Sequence, residues 1–203
     1  MSLTDCGKQV WLQYILSQQD LPTVVSTSYD DDEQSISYAY ATQACNMFAQ
    51  LGVRGVSVFF GSGDEGVGPP AEYCITNDGK NTTTFLPQFP SSCPYVTSVG
   101  ATKNFEPEVA ALDDRFSPAF TSGGGFSNYF PRPKYQDKAI PSYLSKYVGD
   151  EYAGLYNKSG RGIPDMAAQG QNFSTVWNGT VLSVDGTSAA TPTAASIFAV
   201  SPF

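Results

Sequence analysis

The distribution of apolar positions in the first hundred residues predicts alternating helices and buried strands. Apolar, β-branched runs cover 24–28, 55–60 and 95–100, as in strands that are buried on both faces. Helical periodicity covers 10–17 and 35–51 instead. A strand, a helix and a second strand in this order form a βαβ unit. We therefore expect the three runs to be neighbouring strands of one sheet, the first two parallel, with 35–51 as the crossover helix.

The predicted crossover helix has an apolar stripe and signals at both ends. The acidic run 30–33 favours its N-terminus, because carboxylates stabilise the positive end of the helix dipole. Gly52 is typical of the left-handed residue that closes a helix. One face collects the apolar side chains Tyr38, Ala41, Cys45, Phe48 and Leu51.

Turn-forming residues dominate the second half of the chain, with a few regular elements between them. Residues 137–148 have a helical pattern, which Pro141 confines to starting near itself. At 173–184 two alternating strands flank Asn178-Gly179, a strong type I′ hairpin signal. The segment DGTSAATPTAASIFAV (185–200) then predicts a helix that begins beside Ser188.

Two side chains in these segments are candidates for chemistry. At a helix N-terminus, Ser188 would lie among N–H groups that stabilise an oxyanion and an activated oxygen. The alternative is that Ser188 only caps the helix. Asp64 lies in the Gly-rich run FFGSGDEGVG (59–68), beyond a buried strand, where open α/β sheets build sites. An Asx-turn beside glycine is the alternative for Asp64.

Composition and charge exclude several classes of protein. The 203 residues are 41% apolar and 15% charged, with 19 Gly and 14 Pro, which suits one loop-rich globular domain. The net charge of −8 argues against nucleic-acid partners. No apolar run approaches the roughly 18 residues of a membrane span. The chain has no histidine, so proton transfer would have to use carboxyl groups, which suits acidic conditions.

Cysteines and sequons indicate a protein of the secretory pathway. Cys74 and Cys93 flank a polar loop, so we expect a disulfide between them, with Cys45 remaining a buried free thiol. Four N-x-[ST] sequons begin at Asn81, Asn157, Asn172 and Asn178. Together they favour secretion. The N-terminal residues lack the apolar stretch of a signal peptide, so we expect the true N-terminus to lie upstream.

Two further motifs complete an ordered set of four. SGGGFSNYFPRPKYQ (122–136) and SGRGIPDMAAQG (159–170) join FFGSGDEGVG and DGTSAATP. The set resembles the signature of the sedolisins, the serine-carboxyl peptidase family that includes the tripeptidyl peptidases and related fungal acid endopeptidases. The resemblance covers residues from about 10 to 199. It implies an α/β fold with a subtilisin-like parallel sheet flanked by helices, truncated at both ends, so that 1–203 is a partial peptidase catalytic domain.

The resemblance implies a role for residues of each motif. The family nucleophile is the serine of Gly-Thr-Ser, here Ser188, and its oxyanion-hole residue is the aspartate of Ser-Gly-Asp, here Asp64. A carboxyl group donates a hydrogen bond only while it is protonated, so this role requires acidic conditions or burial. Asp165 matches the family's Pro-Asp motif, where we expect a mainly structural role and a pair with Arg161.

The resemblance also implies a substrate-binding edge. In the family, the strand that ends Ser-Tyr-Gly pairs with extended substrate backbone, and a Ser-Gly-Gly-Gly stretch lies near the cleft. Glycines in such places let a peptide backbone approach closely. The matching residues here are Ser28, Tyr29 and Asp30 and then Ser122, Gly123, Gly124 and Gly125.

The sequence departs from the family pattern in three places. Asp30 replaces a glycine, and we expect its side chain to narrow the cleft or repel acidic substrates. The family base, a Glu backed by an Asp four residues later, has no counterpart here, so we expect poor hydrolysis. If a base does exist, Asp185 is the first candidate, being adjacent to Gly-Thr-Ser. The family Ca²⁺ site would lie beyond Phe203, so we expect no metal or other cofactor in this chain.

These observations favour an acid-acting serine-carboxyl peptidase, either a tripeptidyl-peptidase or an endopeptidase, that forms an acyl-enzyme on Ser188. The alternative is a catalytically inactive homologue or fragment that only binds peptides. A secreted β-rich adhesion module is a third interpretation, which the βαβ unit disfavours. The resemblance implies a peptide or protein substrate and a secreted or extracellular location, and we expect a monomer.

Overall fold

The computed structural model describes residues 3–68, 74–113 and 120–201, with the side chains of 3–6 and Lys8 excepted. The α-helices within these ranges are α1 (Leu3–Ser17), α2 (Tyr38–Val53), α3 (Ala139–Tyr143) and α4 (Thr187–Val200). The strands are β1 (Val24–Thr27), β2 (Asp31–Asp32), β3 (Ser57–Gly61), β4 (Gln88–Phe89), β5 (Thr97–Lys103), β6 (Val109–Ala110), β7 (Leu112–Asp113), β8 (Phe120–Thr121), β9 (Gly125–Pro131), β10 (Gly160–Ile163), β11 (Met166–Gln169), β12 (Phe173–Trp177) and β13 (Thr180–Val184).

A central sheet with strand order β1-β3-β5-β11 organises the chain. These four strands are parallel, and β6 adds an antiparallel partner to β5. The predicted neighbours are therefore confirmed, with α2 as the connection between β1 and β3. The predicted fold class, a parallel sheet flanked by helices, is also confirmed. The predicted hairpin is present as β12 and β13, with Asn178 and Gly179 both at positive φ.

Two apolar clusters cover opposite faces of the sheet. Successive side chains of a strand point to opposite faces, and those of β3 do so here. Val58 and Phe60 pack in one cluster with α1 and α2, through residues such as Leu12 and Phe48. Phe59 packs in the other cluster, with Ala190 and Ala194 of α4. Helix α4 thus lies across the sheet, where its small side chains permit close packing and fix the position of its first turn.

Several predicted details of α2 are wrong. The helix begins after Ser37, whose side chain accepts a hydrogen bond from the Tyr40 N–H, and not after the acidic run. It extends beyond Gly52 to Val53, and Gly55, with a φ of 85°, follows the C-cap. Tyr38 is 58% exposed, outside the buried stripe. The local pattern did not reveal the role of the acidic run, because its side chains form hydrogen bonds with distant segments of the chain.

The predicted disulfide is also wrong. Cys45 of α2 is bonded to Cys93, across a sequence separation of 48, and Cys74 is a buried thiol outside this bond. The helical stripe correctly placed Cys45 in the core, but it does not reveal which loop lies above it. The loop that precedes β5 lies above Cys45, so the disulfide fastens α2 to the segment that leads into β5.

The helical pattern at 137–148 is only partly regular. Helix α3 covers Ala139–Tyr143 and includes Pro141 in its first turn, as expected. A π-helical turn follows at Leu144–Val148 and ends at Gly149, whose φ is 58°. Only Ile140 of α3 is buried, so this segment has little core contact with which to sustain a longer helix.

Candidate active site

A cleft of about 240 Å³ opens at the carboxyl ends of the central strands. It combines the residues that follow β1, the end of β3 with the turn after it, one residue of β4 and the first turn of α4. Its lining residues are Ser28, Asp30, Asp32, Gly61, Gly63, Asp64, Glu65, Gln88, Thr187 and Ser188. Ligand sites in open α/β sheets occur at this edge. The structure therefore brings together Ser188 and Asp64, the predicted nucleophile and the predicted oxyanion-hole residue.

Ser188 is the second residue of α4 and is exposed, whereas the preceding Thr187 is buried. The helix starts after Gly186, whose φ of 152° is unfavourable for a residue with a side chain. The Ser28 hydroxyl donates to the Ser188 main-chain oxygen at 3.3 Å. One predicted substrate-binding residue thus contacts the predicted nucleophile directly.

Asp64 faces the same helix N-terminus. Its Oδ1 accepts a hydrogen bond from the Thr187 N–H at 2.7 Å and another from the Thr187 hydroxyl at 2.9 Å. The position that a Cβ on Gly186 would occupy is 3.2 Å from Asp64 Oδ2 and 3.5 Å from the Ser188 nitrogen. Asp64 Oδ2 and Ser188 N therefore flank a small space beside Gly186. An oxygen held there would have two potential donors when Asp64 is protonated.

The edge that follows β1 carries two further carboxylates. Asp30 lines the cleft, and its Oδ2 is 3.4 Å from the position that a Cβ on Gly63 would occupy, so its side chain extends toward the Asp64 turn. Asp32 accepts a hydrogen bond from the Gln88 side chain at 2.7 Å. Tyr29 is not among the lining residues and is 48% exposed. The acidic edge predicted from Asp30 is thus broader than one residue.

The Ser122–Gly125 stretch supports the Asp64 turn instead of lining the cleft itself. The Gly123 N–H donates to the Gly63 oxygen, and the Ser62 hydroxyl donates to the Gly123 oxygen. A Cβ on Gly123 would lie 2.0 Å from the Ser62 oxygen, so only glycine fits this contact. Ser122 accepts a hydrogen bond from the Ala101 N–H through its side chain. These glycines bring two segments of the protein together, and their predicted contact with substrate stays a prediction.

Glu33 is a buried carboxylate that the sequence analysis assigned to a helix terminus. It is 1% exposed and accepts hydrogen bonds from the Ser127 hydroxyl and from the N–H groups of Asn128 and Tyr129. Burial raises the pKa of Glu33, and the hydrogen bonds from its partners oppose that shift. The network fastens the segment that carries Asp30 and Asp32 to β9.

Arg161 and Asp165 form an ion pair, as expected from the sequence. The Arg161 side chain is fully buried and also donates to the main-chain oxygens of Val96 and Gly162. Asp165 accepts from the Ser98 N–H and from the Tyr135 hydroxyl. Burial raises the pKa of Tyr135 to about 12. These contacts connect β5, β10 and the turn before β11, so they support the core.

Asp185 is directed away from the cleft. Its Oδ1 accepts a hydrogen bond from the Asn172 N–H at 2.7 Å, at the base of the β12–β13 hairpin. It is adjacent to Gly186 in sequence, but the residues that line the cleft do not include it. The role of Asp185 as a base therefore stays a prediction.

Sequence reasoning missed six lining residues: Asp32, Gly61, Gly63, Glu65, Gln88 and Thr187. The sequence could have predicted Asp32 as a lining residue, since it lies two residues after Asp30 and alternate residues of an extended segment share a side. Gln88 gave no local signal, because it reaches the cleft through the antiparallel pairing of β4 with β2. Across 3–68, 74–113 and 120–201, no group of three or more His, Cys, Asp or Glu side chains is arranged to hold a metal ion.

The fold and the cleft define a class of protein, which comparison with known families supports. A model of the subtilase family matches residues 1–201. Pseudomonas sedolisin, described as a serine-carboxyl proteinase complexed with two molecules of pseudo-iodotyrostatin, superposes with a TM-score of 0.72 at 23% identity. The superposition covers 98% of this chain and 52% of that one. The chain therefore belongs to the subtilase family of serine peptidases.

The predicted resemblance to the sedolisins and fungal tripeptidyl peptidases is confirmed at the level of sequence. The chain is 52% identical over 190 residues to the probable tripeptidyl-peptidase SED3 of Arthroderma benhamiae. It is 50% identical over the same length to the tripeptidyl-peptidase SED2 of Arthroderma otae. Each match covers 93% of this chain and 30% of the relative. The chain thus spans about a third of the length of these curated relatives.

The structural likeness extends more weakly to a second solved peptidase. The prenylagaramide maturation protease PagA superposes with a TM-score of 0.52 at 15% identity, over 98% of this chain and 49% of that one. At such identity the likeness concerns the fold alone. Within the described part of the chain, no helix has the length and apolar character needed to cross a membrane.

Proposed function

We propose that residues 1–203 are part of the catalytic domain of an acid-acting serine-carboxyl peptidase, with Ser188 as nucleophile and Asp64 in the oxyanion hole. The observation that carries this proposal is the space beside Gly186. Asp64 Oδ2 and the Ser188 N–H flank it, within the first turn of α4. Both groups are held by the fold before any substrate arrives, which is the condition for electrostatic stabilisation of a transition state.

The proposed reaction is acyl transfer in two steps. The Ser188 oxygen attacks the carbonyl carbon of the scissile bond, a base takes the serine proton, and the carbonyl π pair moves onto oxygen. That oxyanion accepts hydrogen bonds from Ser188 N–H and protonated Asp64. Its collapse expels the amine, which leaves with a proton, and forms an acyl-enzyme that water then hydrolyses. An oxyanion donor of this kind contributes roughly 10²- to 10³-fold in rate.

The acidic working range follows from the chemistry of Asp64. A carboxylate cannot donate a hydrogen bond, so the donor role requires the protonated form. The same side chain accepts from Thr187 through Oδ1, which leaves Oδ2 to carry the proton.

The substrate and location are proposed from the relatives. Two of these relatives are named tripeptidyl-peptidases, so we propose release of tripeptides from peptide substrates, with endopeptidase action as the alternative. We also propose a secreted, glycosylated monomer. Asn81 and Asn178 are exposed sequons at turns, whereas the Asn157 side-chain nitrogen donates to the Ser127 oxygen and is less available. Glycan attachment is therefore proposed at Asn81 and Asn178 ahead of Asn157.

The proposal is tested by labelling the chain with a fluorophosphonate at pH 3 to 6 and locating the adduct by mass spectrometry. The serine oxygen displaces fluoride from phosphorus, so a modified Ser188 reports an activated nucleophile. We expect labelling at Ser188, none in Ser188→Ala and at least tenfold slower labelling in Asp64→Ala. Labelling that is equally slow in all three proteins, or that falls on other serines, would contradict the proposal.

A second candidate function is peptide binding without turnover. Within the described residues, the Ser188 hydroxyl has no hydrogen bond to a carboxylate, and the sequence has no histidine. A serine without a base is a weak nucleophile. On this alternative, fluorophosphonate labelling of Ser188 and peptide turnover by the 203-residue chain between pH 3 and 6 both stay close to those of Ser188→Ala. Turnover well above the variant would reveal a base and exclude the binding-only alternative.

A further inference from the structure

Thr187 is the residue most closely engaged with Asp64, although it lies 123 positions away in the chain. Its side chain is 3% exposed and points into the turn, whereas the neighbouring Ser188 is exposed. Both of its donors, the main-chain N–H and the hydroxyl, are used on one atom, Asp64 Oδ1, at 2.7 and 2.9 Å. A single carboxyl oxygen thus receives two hydrogen bonds from one residue.

The fold reserves room for the Thr187 hydroxyl. Gly61, the last residue of β3, lies against it: a Cβ there would be 2.8 Å from Thr187 Oγ1. The Thr187 main-chain oxygen accepts a hydrogen bond from the Thr191 hydroxyl at 2.7 Å, one turn further along α4. The hydroxyl is therefore confined between the end of a core strand and the first turn of a helix, and its contact with Asp64 is fixed by buried structure.

This arrangement makes the two oxygens of Asp64 unequal. A proton on Oδ2 leaves both hydrogen bonds from Thr187 in place, whereas a proton on Oδ1 would force the Thr187 hydroxyl to stop donating to that oxygen. The contacts therefore favour Oδ2 as the site of the proton in a neutral Asp64. Oδ2 is also the nearer oxygen to the Cβ position of Gly186, at 3.2 Å against 3.7 Å for Oδ1, beside the Ser188 nitrogen.

We propose that Thr187 is a positioning residue that confines the proton of Asp64 to Oδ2, so that the carboxyl group donates into the space beside Gly186. The inference rests on the proposed function, because it concerns the oxyanion donor of that reaction. Without the hydroxyl, Oδ1 would accept one hydrogen bond, and the carboxyl group could rotate or carry its proton on either oxygen. A smaller fraction of the protein would then present a donor to the oxyanion.

A structural role for the hydroxyl predicts something different. If Thr187 only tied the Asp64 turn to α4, its loss would weaken every ligand of the cleft to the same degree. A positioning role weakens only those ligands that place an oxygen in the space beside Gly186. A peptide aldehyde does so: the Ser188 oxygen adds to the aldehyde carbon, and the serine proton ends on the former carbonyl oxygen as a hemiacetal. The peptide alcohol of the same sequence cannot form this adduct.

The experiment compares the dissociation constants of a peptide aldehyde and its alcohol at pH 4, using the full 203-residue chain. The variants are Thr187→Val, which keeps the shape and removes the hydroxyl, and Thr187→Ser, which keeps the hydroxyl. Thr193→Val is the matched control, because the Thr193 hydroxyl donates to the Ala189 main-chain oxygen of the same helix and not to Thr187 or Asp64. We expect Thr187→Val to bind the aldehyde at least tenfold more weakly and the alcohol equally well, with Thr187→Ser and Thr193→Val within threefold of the parent.

The outcomes separate this inference from the proposed function. If the parent chain prefers the aldehyde and Thr187→Val retains that preference, or loses affinity for both ligands equally, the positioning role is wrong and the function stands. If the parent chain itself binds aldehyde and alcohol equally, Ser188 forms no adduct, and both proposals are overturned. Should Thr187→Val fail to fold, loss of preference in Thr187→Ser beyond threefold would contradict the inference, since the serine hydroxyl can reach the same atom.

Discussion

The Ser127 hydroxyl donates a 2.5 Å hydrogen bond to Oε1 of Glu33, which lies 94 positions earlier in the chain. The Asn128 and Tyr129 N–H groups donate to the other oxygen, Oε2. One buried carboxylate therefore anchors the acidic edge of the cleft to β9. It also makes the free energy of unfolding depend on pH, in a direction that follows from the pKa shift of Glu33.

Burial raises the pKa of Glu33 above its ordinary value of 4.5. The folded state therefore holds this proton more tightly than the unfolded state does. The corresponding stability is fully present below the unfolded pKa and is lost as the pH rises through the folded pKa. Each unit of upward shift corresponds to about 1.4 kcal/mol. Urea unfolding of Glu33→Gln at pH 4 to 7 should show a smaller loss of stability with rising pH than the parent.

The control for Glu33 is Glu106→Gln, which alters an exposed side chain and should leave the pH dependence unchanged. If the free energy of unfolding depends on pH equally in the parent and in Glu33→Gln, then Glu33 is ionised with the same ease in the folded and the unfolded state.

The Cys45–Cys93 disulfide is expected to be a main source of stability. It closes a loop with a sequence separation of 48. In the chain-entropy model such a crosslink contributes about 4 kcal/mol. Reduction, or the double change Cys45→Ala and Cys93→Ala, should lower the free energy of unfolding by that order in urea titrations. Cys74→Ala should cost less, because no loop is closed at Cys74. Unfolding midpoints that are identical with and without reductant would refute the bond.

Arg161 is expected to tolerate substitution poorly. Its side chain has no exposed surface and pairs with Asp165. Removing one partner of a buried ion pair leaves an uncompensated charge and costs about 3–5 kcal/mol. Arg161→Met should therefore destabilise the chain by this amount in urea unfolding. Arg132→Met is the matched control, because Arg132 pairs with Asp137 near the surface, where such a pair contributes about 0–1 kcal/mol. Equal costs would contradict a buried role for Arg161.

Gly186→Ala tests the space between Asp64 and Ser188. The methyl group would lie 3.2 Å from Asp64 Oδ2, at a φ of 152° that favours glycine. We expect fluorophosphonate labelling of Ser188 to slow by about 10²-fold, as for loss of an oxyanion donor. Gly55→Ala imposes positive-φ strain at 85° with nothing within 4 Å of the new methyl, and should label at the parental rate. If both variants slow equally, general strain explains the effect.

Asp30 is expected to select against acidic peptides. Its carboxylate lines the cleft and extends toward Gly63. A like charge at about 8 Å in a partly solvated site costs on the order of 1 kcal/mol. Asp30→Asn should therefore improve the binding of a Glu-containing peptide at pH 6 about fivefold relative to its Gln counterpart. Asp30→Gly removes the side chain as well, so tighter binding of both peptides in that variant would identify narrowing of the cleft as the cause.

Local pattern was sufficient for three of the four parallel strands of the sheet and for the helix that connects the first two, whereas β11 was not predicted. The β-branched runs became β1, β3 and β5, and the helical stripe became α2, because residue spacing reports which side of an element is buried. The Asn178-Gly179 hairpin was equally local, since two residues at positive φ set that turn. The order of the four Gly-rich motifs indicated the family to which the chain belongs. Each single strand, helix, turn and motif depends on residues within a few positions of one another.

Contacts between distant segments were decided only by the tertiary structure. The helical stripe placed Cys45 in the core, but the packing of the loop before β5 chose Cys93 as its partner in place of Cys74. The acidic run had a strong local interpretation as a helix start, which the burial of Glu33 against β9 overrode. Nothing in the local sequence around Thr187 or Asp64 predicts that these two residues pair. Their pairing exists because α4 packs on one face of the sheet with its first turn at the carboxyl edge, and that position depends on the packing of the core.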